Sequence, residues 1–267
     1  MTSPGTEAQQ AEVGEARPLL YVVIPAYNEQ ECLPEVVAEW CAALERLGCR
    51  HRVLLINDGS TDGTWATIDG LCAQSTVLEG LDKANSGHGQ SCVRGYREAL
   101  ARGADWVFQI DSDGQCDPQY FPALWALRDS HPAVMGRRVT RDDGLARRLI
   151  SQVCRLAVRL ASGVDVADAN VPYRLIRADV LGQVVEGLPG DFGLANILVA
   201  VILQQALGAQ LRYVEIGFRD RRGGTASVKW SGFARQGRRL FRELRANRAL
   251  IEDRCQAVRG QLSARVS

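Results

Sequence analysis

No apolar run in this sequence is long enough to span a bilayer. The longest, residues 194–209, is interrupted by Asn196, Gln204 and Gln205, whereas a spanning helix needs about 20 consecutive apolar residues. It is expected as a buried helix, and the protein as soluble. The N-terminal stretch MTSPGTEAQQAEVGEA has no apolar segment of the kind a secretory signal carries; residues 1–17 are expected to form a disordered leader. Eight cysteines are present, but none makes a CxxC pair. That argues against a zinc site or a disulfide framework and for reduced, mostly buried thiols in a cytoplasmic protein. A formal net charge of +1 is no polyanion binder's balance, so a nucleic-acid partner is not expected. An internal repeat and a convincing linker are also lacking.

What remains suits one large α/β core. The chain has 267 residues, 46% of them hydrophobic, enough for one domain with a small annex. Residues 19–25 (LLYVVIP) and 53–56 (VLLI) are strands buried on both faces. Between them Pro34 opens a helix that Gly48 stops. A helix capped by Asp62 or Thr64, a weak strand at 76–81 and a helix through Val93, Tyr96 and Leu100 follow. Trp106, Val107, Phe108 and Ile110 then mark a buried strand. This β-loop-α alternation predicts a mostly parallel, Rossmann-like sheet with helices on both faces. Ligands of such sheets sit beyond the C-terminal strand ends. The breaks at 25–29, 57–63 and 111–115 all fall at that edge. The second half is less regular: a short strand at 134–136, a helix over 145–160, a loop entering a strand at 168–176, the buried helix and a strand at 211–218 are expected. The domain is placed at 18–229. Residues 230–267 form a C-terminal helical extension, where ten Lys/Arg from Lys229 onward face three Asp/Glu.

Asp111-Ser112-Asp113 directly follows the central strand. Two carboxylates one residue apart repel each other, and Mg²⁺ or Mn²⁺ relieves that by taking their oxygens together with those of a phosphate. Gln115 offers a further neutral oxygen. An acidic turn with Asp117 as a helix cap explains the same residues without a metal. Asp58 either accepts from the N–H groups of a nucleobase or is a turn residue. Tyr27 and Glu29 share that edge, one able to stack on a base and the other to bind ribose or serve as first-turn helix charge. Asn85, Gly87 and Gly89 open a helix whose N-terminus suits an anion, or they form a simple flexible turn. His88 is read as an exposed cap rather than a base. Arg137-Arg138, Arg147-Arg148 and Arg219, Arg221 and Arg222 flank the acidic turn; arginine forks match phosphate geometry.

The series Pro25-Ala-Tyr-Asn-Glu29, Asn57-Asp-Gly-Ser-Thr-Asp-Gly63, Asn85-x-Gly87 and Asp111-Ser-Asp113-Gly-Gln115 resembles the motif order of family 2 inverting glycosyltransferases with the GT-A fold. It is most similar to their dolichol-phosphate mannose synthase and polyprenyl-phosphate branch. The resemblance covers residues 19–229. It implies that Pro25, Tyr27, Glu29, Asp58, Asn85, Gly87 and Ser112 bind the nucleotide, and that Asp111, Asp113 and Gln115 carry a Mg²⁺ or Mn²⁺ ion. Arg137, Arg148 and Ser151 fall near acceptor-phosphate positions. Phe218-x-x-Arg221-x-x-Gly224 resembles a late element whose arginine touches the donor diphosphate. Val171-Pro172 stands where the family often has Ser-Gly, and an extra residue precedes Ser227; both departures lie on the acceptor side.

The activity implied is transfer of a hexose from GDP-mannose or UDP-glucose to a polyprenyl or dolichyl phosphate, with inversion. A phosphate acceptor needs no strong base; for a hydroxyl acceptor, Asp168 is the first candidate. The Arg-rich C-terminal helix suits either an anionic membrane surface on the cytoplasmic side or packing on the domain. A nucleotidyltransferase would carry a Gly-rich basic loop after strand one, where this chain has PAYNE. A non-catalytic nucleotide-sugar binder would have no need of the Asp111/Asp113 pair.

Overall fold

A computed structural model describes residues 17–139, 155–190, 192, 194–221 and 233–266. Its first half alternates as the sequence pattern requires: β1 (Leu19–Ala26), α1 (Leu33–Arg46), β2 (Arg50–Asp58), α2 (Thr64–Gln74), β3 (Leu78–Lys83), α3 (His88–Ala101) and β4 (Trp106–Ile110). A 3₁₀ turn at Pro118–Tyr120 leads into α4 (Phe121–Ala126), then β5 (Ala133–Arg138). The second half contains α5 (residues 155–162), β6 (Tyr173–Arg177), α6 (Ala178–Val185), α7 (Ala195–Leu207), β7 (Leu211–Ile216), α8 (Phe233–Ala246) and α9 (Arg248–Val266).

The seven strands lie in the order β3-β2-β1-β4-β6-β5-β7. The first four are mutually parallel, as is the β5–β7 pair, and β6 runs antiparallel between β4 and β5. Strand alternation puts helices on both faces. Phe108 points to one side, where its ring lies 5.4 Å from Trp40 of α1, 4.7 Å from Phe121 of α4 and 4.9 Å from Tyr173. Gln109 points to the other and accepts a hydrogen bond from the Tyr96 hydroxyl of α3 at 3.3 Å. Gly95 permits that helix to seat: a Cβ there would lie 2.4 Å from both Ile56 and Val23 side chains.

Two local expectations shift. Strand β3 begins two residues later than periodicity suggests, because 75–77 form a turn closed by Leu78 N donating to Ser75 O. Asp62, one of the two expected caps, does cap α2, accepting from Thr64 N at 3.0 Å. The C-terminal segment is two helices broken at Asn247, whose side chain donates to the Glu243 carbonyl. Helix α9 packs on α6 and α7, with Ile251, Cys255 and Val258 buried. Arg259 Nη2 donates to the Gln205 carbonyl at 2.6 Å, satisfying a terminal carbonyl of α7.

Candidate active site at the strand ends

Register brings the candidate residues together. Ala26 pairs with Asn57 and Asp58 with Lys83, so β1, β2 and β3 end at one level. Val23 pairs with Gln109, which puts Asp111 level with Pro25. The loops after β1 and β2 interlock there. Asn28 adopts a positive φ of 55°, its N–H donates to Ser60 Oγ at 3.0 Å and its Oδ1 accepts from Thr61 N at 2.8 Å. The Glu29 N–H donates to Thr64 Oγ1 at 2.9 Å. This leaves Glu29 buried at the front of the sheet and Tyr27 exposed above it.

The turn after β4 sets its two carboxylates differently. Asp111 is half-buried, with Oδ1 3.1 Å from Gln109 Nε2 and 3.3 Å from His88 Nε2. Asp113 is buried and accepts from Gln115 N at 3.1 Å. Burial, and then the charge of Asp111, push the Asp113 carboxyl above its ordinary pKa. That is the mutual repulsion a divalent cation relieves. Among the described residues no cluster of three or more His, Cys, Asp or Glu could hold a metal. Two carboxylates with a neighbouring amide fit an ion that keeps waters and takes its remaining oxygens from a phosphate. Asp117 does cap the following turn, accepting from Gln119 N at 2.9 Å.

The segment after β7 returns to this turn. Phe218 forms an antiparallel bridge with Cys116, Arg219 N donates to the Gln115 carbonyl at 3.0 Å, and Gln115 Nε2 donates back to the Arg219 carbonyl at 3.3 Å. Arg219 spans Asp117 and Glu39. Two residues on, Arg221 Nη2 donates to Glu29 Oε1 at 2.5 Å, and its Nη1 lies 3.9 Å from Asp113 Oδ2. Residues almost two hundred positions apart, Glu29 and Arg221, are thus assembled with Asp113.

At the other end of the crevice, buried Asp58 accepts from Lys83 Nζ and, at 2.9 Å, from Ser86 N, both on Oδ1. Asn85 Nδ2 donates to the Asp58 carbonyl at 2.8 Å. Gly59 is required beneath it, since a Cβ there would meet Asn85 N at 2.6 Å. Gly87, with φ of 87°, starts α3.

Sequence reasoning missed Lys83, whose only signal is its place at a strand end opposite Asp58. It also underrated His88. That residue is not a plain exposed cap, because it touches Asp111 and lies 3.6 Å from Cys92 Sγ. Those two groups, Cys92 foremost, raise its pKa.

The acceptor-side candidates are more scattered. Arg137 turns to Glu215 on β7, while Arg138, on the opposite face of β5, grips both oxygens of Asp168 at 2.6 and 2.7 Å. Asp168 is therefore an ion-pair partner here. Arg148, Ser151 and Gly224 lie outside the described residues. Arg174 is fully buried and donates to the carbonyls of Val171, Asn196 and Ala169 at 2.7–2.8 Å, fixing the loop before β6 to the start of α7.

Comparison with known proteins agrees with this geometry. Residues 21–184 match the sequence model of glycosyl transferase family 2. The undecaprenyl-phosphate 4-deoxy-4-formamido-L-arabinose transferase of Salmonella paratyphi A is 32% identical over 163 residues, covering 60% of this chain and 49% of the relative. The chain thus matches about half the length of such curated relatives. Glucosyl-3-phosphoglycerate synthase from Mycobacterium tuberculosis, solved with Mn²⁺ and UDP-glucose, superposes with a TM-score of 0.60 at 20% identity, covering 90% of this chain and 79% of that one. Mannosyl-3-phosphoglycerate synthase from Rubrobacter xylanophilus gives 0.57 at 15% identity, covering 87% and 75%. At these identities the likeness is one of fold.

Proposed function

Because the chain belongs to glycosyl transferase family 2, we propose that it transfers a sugar from a nucleotide diphosphate sugar to a polyprenyl phosphate, with inversion at the anomeric carbon. The observation that carries this reading is the meeting of Asp111, Asp113, Glu29 and Arg221 at one end of the crevice, with Asp58 and Lys83 at the other. A nucleotide has its charge at one end and its hydrogen-bonding base at the other. The undecaprenyl-phosphate relative supports the lipid acceptor, and the Mn²⁺–UDP-glucose complex of a structural neighbour supports a divalent ion beside a nucleotide sugar.

The base end favours uridine over guanosine. Asp58 Oδ1 already accepts two hydrogen bonds, and among the described residues none is donated to Oδ2. One open acceptor matches the single imino N–H of uracil, whereas guanine presents two adjacent donors. Tyr27 is exposed at the same edge and available to stack.

At the reacting end, Asp111 and Asp113 would hold Mg²⁺ or Mn²⁺, with Gln115 nearby. The bound ion supplies Lewis-acid stabilisation of charge on the leaving diphosphate. Arg221 adds a preorganised positive charge on the same side. The acceptor phosphate oxygen attacks the anomeric carbon from the face opposite the diphosphate. Its new C–O bond forms as the sugar–diphosphate C–O bond breaks, and the diphosphate departs with that electron pair. A phosphate is already ionised at neutral pH, so Asp168 can remain paired with Arg138.

Membrane contact is the finer part of the reading. Among the described residues no helix is long and apolar enough to cross a membrane. Helix α8 buries Leu240 and Leu244 against the protein and exposes Arg238, Arg239, Arg242 and Arg245. A cationic face of this kind supports peripheral binding to an anionic leaflet on the cytoplasmic side.

The test is nucleoside diphosphate release from a panel of UDP and GDP sugars with Mn²⁺, with and without undecaprenyl phosphate, against Asp113→Ala. Lipid-dependent release lost in the variant is expected. Release stimulated by a hydroxyl compound instead would move the acceptor, and binding without turnover against any acceptor would overturn the reading.

A further inference from the structure

The thiol of Cys32 belongs to none of the motifs, yet it sits where two of them meet. Its Sγ lies 3.1 Å from Glu29 Oε2 and 3.1 Å from the Ser112 carbonyl oxygen. Cys32 is 4% exposed, so water does not compete for either acceptor. The remaining contacts close a ring: Ser112 precedes Asp113, Asp113 lies 3.9 Å from Arg221, and Arg221 donates to the other oxygen of Glu29. One sulfur therefore joins the loops after β1 and β4, and the segment after β7 joins them through the Glu29–Arg221 pair. Burial, reinforced by the Glu29 carboxylate, pushes this thiol up to about 12. It is a protonated donor and not a thiolate at any physiological pH.

Resting on the glycosyltransferase reading, we propose that Cys32 is a positioning residue: it fixes the Glu29 carboxylate so that Arg221 is presented beside Asp113, where the donor diphosphate binds. Without a donor at this position, Glu29 Oε2 is a buried carboxylate oxygen with one hydrogen-bond partner fewer. A buried carboxylate oxygen that loses a donor carries its desolvation uncompensated. Glu29 would then turn away and take the guanidinium with it. Cys32 touches neither diphosphate nor metal; its effect passes through Glu29.

The experiment compares Cys32→Ala and Cys32→Ser in the full chain. UDP binding in the presence of Mn²⁺ is measured by calorimetry, beside thermal unfolding and donor kinetics. Serine keeps a donor but changes the packing; alanine removes the donor. The expected result is UDP binding about fivefold weaker in Cys32→Ala and near wild type in Cys32→Ser, the size of one lost hydrogen bond from a weak donor. The alanine penalty should vanish in an Arg221→Ala background, because the two residues act through one path. Equal binding by wild type and Cys32→Ala overturns the proposal, as does a penalty that persists fully without Arg221. A loss common to both Cys32 variants that follows only their melting temperatures also overturns it, since that is a packing effect. Failure of the wild type to bind any nucleoside diphosphate would instead remove the glycosyltransferase reading beneath it.

Discussion

Arg221 Nη2 and Glu29 Oε1 lie 2.5 Å apart, joining the segment after β7 to the loop after β1 directly in front of Asp113. The pair neutralises a buried carboxylate and holds a guanidinium at the rim of the acidic turn. Arg221→Ala is expected to lower kcat by about 10²-fold, the usual loss when one preorganised donor to a developing anion is removed. Arg221→Lys should recover only part of it, because a point charge cannot bond Glu29 and face Asp113 with a planar fork. Steady-state kinetics decide this, and an unchanged kcat in the alanine variant would take Arg221 out of the site.

The contrast between Arg221 and its neighbours shows what a sequence can carry. Asp111, Asp113, Asp58 and Glu29 were legible because each directly follows a recognisable apolar strand, and parallel topology sends all such loops to one edge. Lys83 and Cys32 were not, and Arg219 was legible only as one member of a basic cluster. Their significance comes from partners brought in by the fold: Asp58 lies 25 positions from Lys83, Ser112 80 from Cys32 and Glu39 180 from Arg219. Strand order was equally hidden, since a buried strand such as β6 shows the same apolar pattern whether it runs parallel or antiparallel. Periodicity also continued through Asn247, where a side-chain bond to the preceding turn ends α8.

Stability should depend on pH through Asp179. It accepts from Arg177 Nε at 2.6 Å and from Val180 N at 2.8 Å at the start of α6, and Arg265 of α9 lies 3.3 Å away. Arg177 and these further partners outweigh the burial that opposes them, so its pKa is lowered. A carboxyl depressed in the folded state contributes stability that is present above its unfolded pKa and lost as pH falls through the folded value. Asp179→Asn should therefore cost about 1 kcal/mol at neutral pH. The difference from wild type should begin to narrow near the ordinary aspartate pKa, at about 4, and close only well below it. Thermal melts at neutral and acidic pH measure it; a gap that stays constant on acidification would count against an ionic origin.

Arg174 makes a stronger demand. Its guanidinium is fully buried and answers three backbone carbonyls on two segments. Arg174→Met fills much of the space but strands those acceptors, at a cost of about 3 kcal/mol. For a domain of this size that is roughly 6–12 °C in melting temperature. Lysine should not restore it, because one ammonium cannot reach carbonyls spread around a planar fork. Differential scanning calorimetry provides the measurement, and a melting temperature within a degree or two of wild type would show that the carbonyls find other partners.

The arginines of α8 divide the two roles considered for the C-terminal segment. Leu240 and Leu244 are packed against the protein, and Arg238, Arg239, Arg242 and Arg245 are exposed, so the membrane contact expected through this helix is electrostatic. Such contact weakens as salt shortens the range of charge interactions to about 10 Å at 0.1 M. Sedimentation with phosphatidylglycerol vesicles should be strong at low salt, fall steeply on raising it, and be absent with phosphatidylcholine vesicles. Arg238→Glu with Arg242→Glu should abolish it while leaving the melting temperature unchanged, because both side chains are exposed. Salt-resistant sedimentation would require an apolar anchor elsewhere, and none at low salt would leave α8 with packing as its whole role.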